Sequence, residues 1–150
     1  MPNYRVKMQS TAHATITVAG INVAASSPRR AWIWDIVVGS EADSADNEFL
    51  HQFQRITTLG TVGAATAAFA MDGADVAATL VGGQGVYSGE PTYTANAIML
   101  LVPLNQRATF RWQVDPRDGY VLPATASNGI GIKTPTMTAL VVSYSIGFQE

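Results

Sequence analysis

Leu140-Val141-Val142-Ser143-Tyr144-Ser145-Ile146-Gly147-Phe148-Gln149 is the stretch whose reading decides the fold. Leu140, Val142, Tyr144, Ile146 and Phe148 fall on every second position, and Ser143, Ser145, Gly147 and Gln149 fall between them. Successive side chains of an extended chain point to opposite faces, so this pattern makes a strand with one apolar and one polar face. The same period opens the chain, where Tyr4, Val6 and Met8 alternate with Arg5, Lys7 and Gln9. It returns where Ile16 and Val18 alternate with Thr15 and Thr17, ahead of Gly20, Ile21 and Val23. Phe110, Trp112 and Val114 alternate in the same way with Thr109, Arg111 and Gln113. Trp32, Trp34, Ile36 and Val38 read as one face of another strand. Ile33 and Val37 lie on its other face, so both sides of that strand are expected to be covered.

Turn chemistry separates these runs. Ser26-Ser27-Pro28, Gly82-Gly83-Gln84-Gly85, Ser88-Gly89-Glu90-Pro91, Asp115-Pro116-Arg117-Asp118-Gly119 and Ser127-Asn128-Gly129 are turn or loop signals. Many short strands punctuated in this way predict a sandwich or a barrel. Pro103 cannot donate to a ladder, so it ends the Ile98–Val102 run or places it at a sheet edge. Between Gly60 and Leu80 the alanines favour helix, whereas Gly63 and Asp72-Gly73 oppose a long one. The expectation there is a loop-rich connection with one short helical turn, or a hairpin turn at Asp72-Gly73. No repeat and no interdomain linker is visible, so the 150 residues read as one domain.

Composition narrows the function. Charged residues are only 13% of the chain, and 9 Lys and Arg face 11 Asp and Glu, for a net charge of −2. Binding to nucleic acid or an anionic membrane is driven by a basic excess, which is absent here. With 47% hydrophobic residues the chain has enough apolar surface to fold. There is no cysteine, which excludes disulfides, thiolate metal sites and a thiol nucleophile. The first residues alternate polar and apolar, unlike a signal peptide. No run reaches the roughly 18 apolar residues of a spanning helix.

The chemical motifs are sparse. His13 and His51 are the only histidines and lack H-x-H or H-x-x-E spacing, so no metal is expected on them. No G-x-S-x-G elbow marks a nucleophilic serine. Glu41, Asp43, Asp46 and Glu48 lack calcium-loop spacing and read as a solvated loop. Asp72 with Asp75, and Asp115 with Asp118, sit beside Gly or Pro, where aspartate serves turns. Gly82-Gly83-Gln84-Gly85 and Gly129-Ile130-Gly131-Ile132-Lys133-Thr134 do not match phosphate-binding loops. They read as flexible turns or tight backbone packing. Arg29-Arg30 is the only basic pair, suited to gripping an acidic partner or to a solvated strand entry. Trp32, Trp34 and Trp112 have apolar same-face neighbours and are read as core rather than as a sugar-stacking platform.

The order of these features resembles a known family. Tyr4-Arg5 lies in a short N-terminal strand, and Arg29-Arg30 opens a strand rich in Trp and Ile. An Ala/Thr/Gly-rich middle precedes Asn105-Gln106-Arg107-Ala108-Thr109-Phe110-Arg111-Trp112. Then come Leu122-Pro123-Ala124, Asn128-Gly129-Ile130-Gly131-Ile132 and a closing Gly147-Phe148-Gln149-Glu150. Over nearly its whole length the chain resembles the small jelly-roll decoration (cement) proteins of tailed-bacteriophage capsids. The resemblance implies an all-β jelly-roll β-sandwich of about eight antiparallel strands, with a short N-terminal strand or arm. It implies a virion protein on the outer capsid surface, a homotrimer at three-fold or quasi-three-fold sites bound to the major capsid protein. No catalysis, cofactor, metal, nucleic acid or membrane enters that role. Tyr4, Arg5, Lys7, Arg29 and Arg30 are the expected capsid or intersubunit contacts. The alternatives are a head-fibre or tail component, and a carbohydrate-binding β-sandwich module that would need Trp32 or Trp34 in solvent. A cupin-type or other β-barrel enzyme lacks its ligand set.

Overall fold

A computed structural model describes residues 1–12, 17–24, 26, 28–41, 45–135 and 140–150. Among them are twelve strands and one 3-10 turn, Pro116–Asp118. The strands are β1 (Asn3–Ala12), β2 (Thr17–Val23), β3 (Ala31–Glu41), β4 (Glu48–Thr58), β5 (Ala64–Ala67) and β6 (Phe69–Ala70). They continue with β7 (Leu80–Gln84), β8 (Thr92–Asn105), β9 (Phe110–Gln113), β10 (Tyr120–Leu122), β11 (Gly129–Lys133) and β12 (Leu140–Gln149). His13, Thr15, Ile16, Ser27 and Asp43 lie outside the described residues.

The strand pairs are nested. β1 pairs with β12, β2 with β11, β3 with β9 and β10, and β4 with β8, all antiparallel. The chain is therefore one long antiparallel ribbon doubled back on itself. The ribbon then wraps, because β12 also pairs with β3 and β11 with β4. Two six-stranded sheets result. Sheet A runs β10-β3-β12-β1-β6, with β9 also on β3, and sheet B runs β5-β7-β2-β11-β4-β8. This is the strand order of a jelly-roll sandwich. Eight strands form its framework, one of them split into β9 and β10 by the turn at Pro116–Asp118. β5, β6 and β7 are additions at one flank. β1 is a ten-residue framework strand rather than a loose arm.

The alternating residues close the sandwich. Tyr4, Val6 and Met8 of β1, with Val142, Tyr144, Ile146 and Phe148 of β12, are buried against Ile21, Phe49, Phe53, Ile130 and Ile132 of sheet B. Each large apolar side chain removed from water contributes roughly 1.5–3 kcal/mol. A buried polar bond also crosses this core. His51 Nδ1 lies 2.9 Å from the Tyr144 hydroxyl, joining β4 of sheet B to β12 of sheet A. Pro103 lies on β8, at the edge of sheet B, as its missing N–H requires.

Two expectations are corrected. The pairing of β3 with β12 is regular from Glu41 to Asp35, but Phe148 then meets Ile33, leaving Trp34 as an extra residue. This bulge reverses the alternation. Ala31 and Ile33 before it, and Ile36 and Val38 after it, are all buried, whereas Trp32, Trp34 and Val37 are half-buried. Trp32 and Trp34 thus do not share the face of Ile36 and Val38. The second correction concerns residues 60–80, where no helical turn forms. β5 takes backbone partners from β7, and β6 takes them from β1 at Tyr4 and Arg5. These pairings override the helix preference of alanine. Asp72-Gly73 does make a turn, with Ala74 N–H donating to Asp72 Oδ1 at 2.9 Å, but it does not join a hairpin.

Part of the outer face of sheet B is covered by its own chain. Gly83, Gly20 and Gly131 stand in register across β7, β2 and β11. A Cβ on Gly83 would lie 2.9 Å from the Tyr87 hydroxyl, and one on Gly131 would lie 2.6 Å from that of Tyr93. The glycine row is the floor on which both rings rest. Lys133 Nζ sits 3.6 Å from the centre of the Tyr93 ring.

Candidate functional site

The polar face of the alternating strands is the outer face of sheet A. Register places Lys7, Ser145 and Val37 in one row across β1, β12 and β3. Gln9, Ser143 and Gly39 form the next row. Arg5, Gly147 and Asp35 form the row on the other side.

The Asp35 row holds an ion cluster. Asp35 is fully buried, although it stands on the outer face. Arg5 Nη2 donates to its Oδ2 at 2.5 Å, and Arg111 Nε donates to its Oδ1 at 2.8 Å. Arg5 Nη1 also donates to Ser145 Oγ at 2.9 Å. Burial by itself raises the Asp35 carboxyl, but the hydrogen bonds and charges of Arg111 and Arg5 outweigh it and hold the group below its ordinary value.

Beside this cluster the face opens into a groove of about 590 Å³. Glu41 organises it. Its carboxylate accepts from Gln9 Nε2 and, at 2.6 Å, from Ser143 Oγ. Gln84 reaches over from sheet B and accepts the Gln9 backbone N–H at 2.8 Å. Lys7 lies along the same groove, its Nζ 5.5 Å from the centre of the exposed Phe69 ring.

The five residues expected to make contacts are dispersed. Tyr4 is a core residue. Its ring stacks on Phe148, and its hydroxyl donates to the Val76 carbonyl at 3.0 Å, so it presents no side chain to a partner. Burial, with Glu150 and Asp75 nearby, raises its hydroxyl pKa. The alternation had already put Tyr4 on the apolar side, and that pattern outranks its place beside Arg5. Arg5 is largely engaged by Asp35, and Lys7 is exposed in the groove. Arg29 and Arg30 are exposed ahead of β3, with Arg29 Nη1 3.9 Å from Glu150. Glu150 itself is buried, accepting the N–H groups of Thr79 and Leu80 at 2.9 and 2.8 Å. Nor is β1 an open edge over Tyr4 and Arg5, which pair with Phe148 and Gly147 on one side and with Ala70 and Phe69 on the other.

The remaining motifs take ordinary places. His51 is fully buried and packs edge-on to Phe49; burial pulls its ring down to about 3, so it is neutral at physiological pH. Asp46 accepts from Asn105 at 2.7 Å, and Asp115 caps the 3-10 turn through Arg117 N–H at 3.0 Å. Gly129–Ile132 is strand, and Gly82 and Gly83 are tightly packed. Trp34 covers Gly147, and the Arg5 guanidinium lies 6.0 Å from its ring centre; Trp112 stacks on Tyr120.

Sequence reasoning missed Asp35, Gln9 and Ser143. A signal for Asp35 was present, since an aspartate within the apolar run Trp32-Ile33-Trp34-Asp35-Ile36-Val37-Val38 needs a cationic partner. No comparable signal links Gln9, Glu41 and Ser143, which are brought together only by the register of β1, β12 and β3. No protein-family model and no curated protein matches this chain.

Proposed function

We propose that the chain is a structural virion protein, a decoration (cement) protein on the outer capsid surface of a tailed bacteriophage. In this reading it is a homotrimer at three-fold or quasi-three-fold sites, bound to the major capsid protein, and it carries out no catalysis. The supporting observation is the nature of its two flanks. Residues 56–71 and 91–106 contain no charged side chain. They supply β5 and β8, the opposite edges of sheet B. Phe69, Met71, Val81 and Val86 are exposed at the β5 flank, and Ile98 and Leu101 at the β8 flank. Exposed edges are usually guarded by charge, and lysine above all. Two unguarded flanks on opposite sides suit head-to-tail packing of copies, which closes into a ring when the rotation allows.

The mechanism is mechanical. A ring whose protomers grip more than one capsid subunit resists their separation, and linked contacts raise avidity through effective concentration. Sedimentation of the full chain, alone and with heads that lack it, tests the reading. A trimer that co-sediments with heads is expected, and Ile98→Lys with Leu101→Lys should give monomers. A wild-type monomer that stays in the supernatant contradicts it.

A further inference from the structure

We propose that the groove on the outer face of sheet A binds a neutral saccharide, with its hydroxyls held by Gln9, Glu41 and Ser143. The groove borders the β5 flank, where Lys7 lies beside Phe69, but its lining is a different surface and the proposal does not rest on the virion reading.

The size suits a small ligand, since binding clefts commonly span about 300–1,000 Å³. The groove crosses β1, β12 and β3 and reaches Thr109 beside β9. Three inter-strand spacings of about 4.8 Å make it about 14 Å across, room for about two to three pyranose rings.

The chemistry of the walls selects the ligand class. Among the described residues, Lys7 and Glu41 are the only charged side chains that line the groove, and they cancel. These two lining charges by themselves therefore favour neither an anion nor a cation. The other polar lining includes the amides of Gln9 and Gln84 and the hydroxyls of Thr109, Ser143 and Ser145. Amides and hydroxyls offer donors and acceptors side by side, which matches a ligand whose own hydroxyls do both. Glu41 is fixed as an acceptor by its bonds from Gln9 and Ser143, so little orientation is lost on binding. The floor is small and aliphatic. Gly39 leaves it open, and Val37 offers a C–H surface to the apolar face of a sugar ring.

An extended peptide fits less well. Strand addition needs free backbone groups along an edge, and the Gln9 N–H is already taken by Gln84. The middle of the floor also belongs to β12, which is paired on both sides, with β1 and with β3.

The test is a ¹⁵N-resolved NMR titration of the full chain with cellohexaose, maltohexaose and chitohexaose. At millimolar sugar at least one should shift the amides of Gln9, Gly39, Glu41 and Ser143 together. Glu41→Ala should weaken that sugar about ten-fold, the equivalent of one lost hydrogen bond to a charged group. Gly39→Leu is the second variant. Among the described residues a Cβ there meets only Thr109 Oγ1, at 3.6 Å, so the fold tolerates it while the side chain fills the groove. It should abolish the shifts with the melting temperature retained. No shift from any of the three sugars overturns the proposal. So do shifts that map elsewhere, or that persist in Gly39→Leu.

Discussion

The two sheets of this sandwich treat their outer faces in opposite ways. Sheet B covers the β7-β2-β11 part of its outer face, with Tyr87 and Tyr93 lying on the row Gly83, Gly20 and Gly131. Sheet A leaves its face open and lines it with Lys7, Gln9, Glu41, Ser143 and Ser145. The centre of one face is consumed by internal packing, and the other is kept polar and reachable. The difference teaches where to look for binding on a chain with few charges. It also separates residues whose loss unfolds the protein from those whose loss does not.

The strongest way to break the contrast is to attack the one place where the open face is built like a core. Asp35→Ala leaves Arg5 and Arg111 without their shared partner. Loss of about 3 kcal/mol in urea unfolding is expected, below the upper range for buried pairs because Arg111 is half exposed to solvent. Asp35→Asn should recover only part of it.

Acid should weaken the fold by a comparable amount, because it acts on a buried bond between the two sheets. The His51 ring is held at about 3 in the folded chain and returns to 6.5 when unfolded. The unfolded chain therefore binds the extra proton first. Stability is full above pH 6.5 and falls by about 1.4 kcal/mol per pH unit below it, until the folded ring also titrates. Asp35, with its folded value depressed, adds a second loss below its ordinary value of 3.8. Denaturant midpoints measured from pH 7 to pH 4 should show the first slope, and His51→Phe should flatten it.

Two smaller substitutions sharpen the comparison directly. Gly131→Val drives a branched side chain into the Tyr93 ring and should cost about 2 kcal/mol. Ser143→Val on the open face should change stability by less than about 0.5 kcal/mol. Equal effects in thermal melts would erase the distinction between the faces.

Much of this architecture was readable from period alone. β1 and β12 keep strict alternation because each has one face on the core and the other on the outer surface. Alternation misled at β3, because a single extra residue, Trp34, reverses the faces and no local feature announces it. The alanines of β5 and β6 misled for another reason. Their conformation is decided by β7 and β1, which are distant in sequence, and not by intrinsic preference. The candidate site was the least legible part. Glu41 looked like one more charge in a solvated loop, and its partners Gln9 and Ser143 come from opposite ends of the chain. Tyr4 was legible as core from its alternation with Arg5, but not as a surface contact.

The virion assignment is tested most directly by abundance. Quantitative mass spectrometry of purified phage particles gives the ratio of this chain to the major capsid protein. A ratio of the same order as that of the capsid protein itself is the expected result for a protein that covers the head. A few copies per particle would move it to a fibre or the tail, and absence from particles would contradict the account outright.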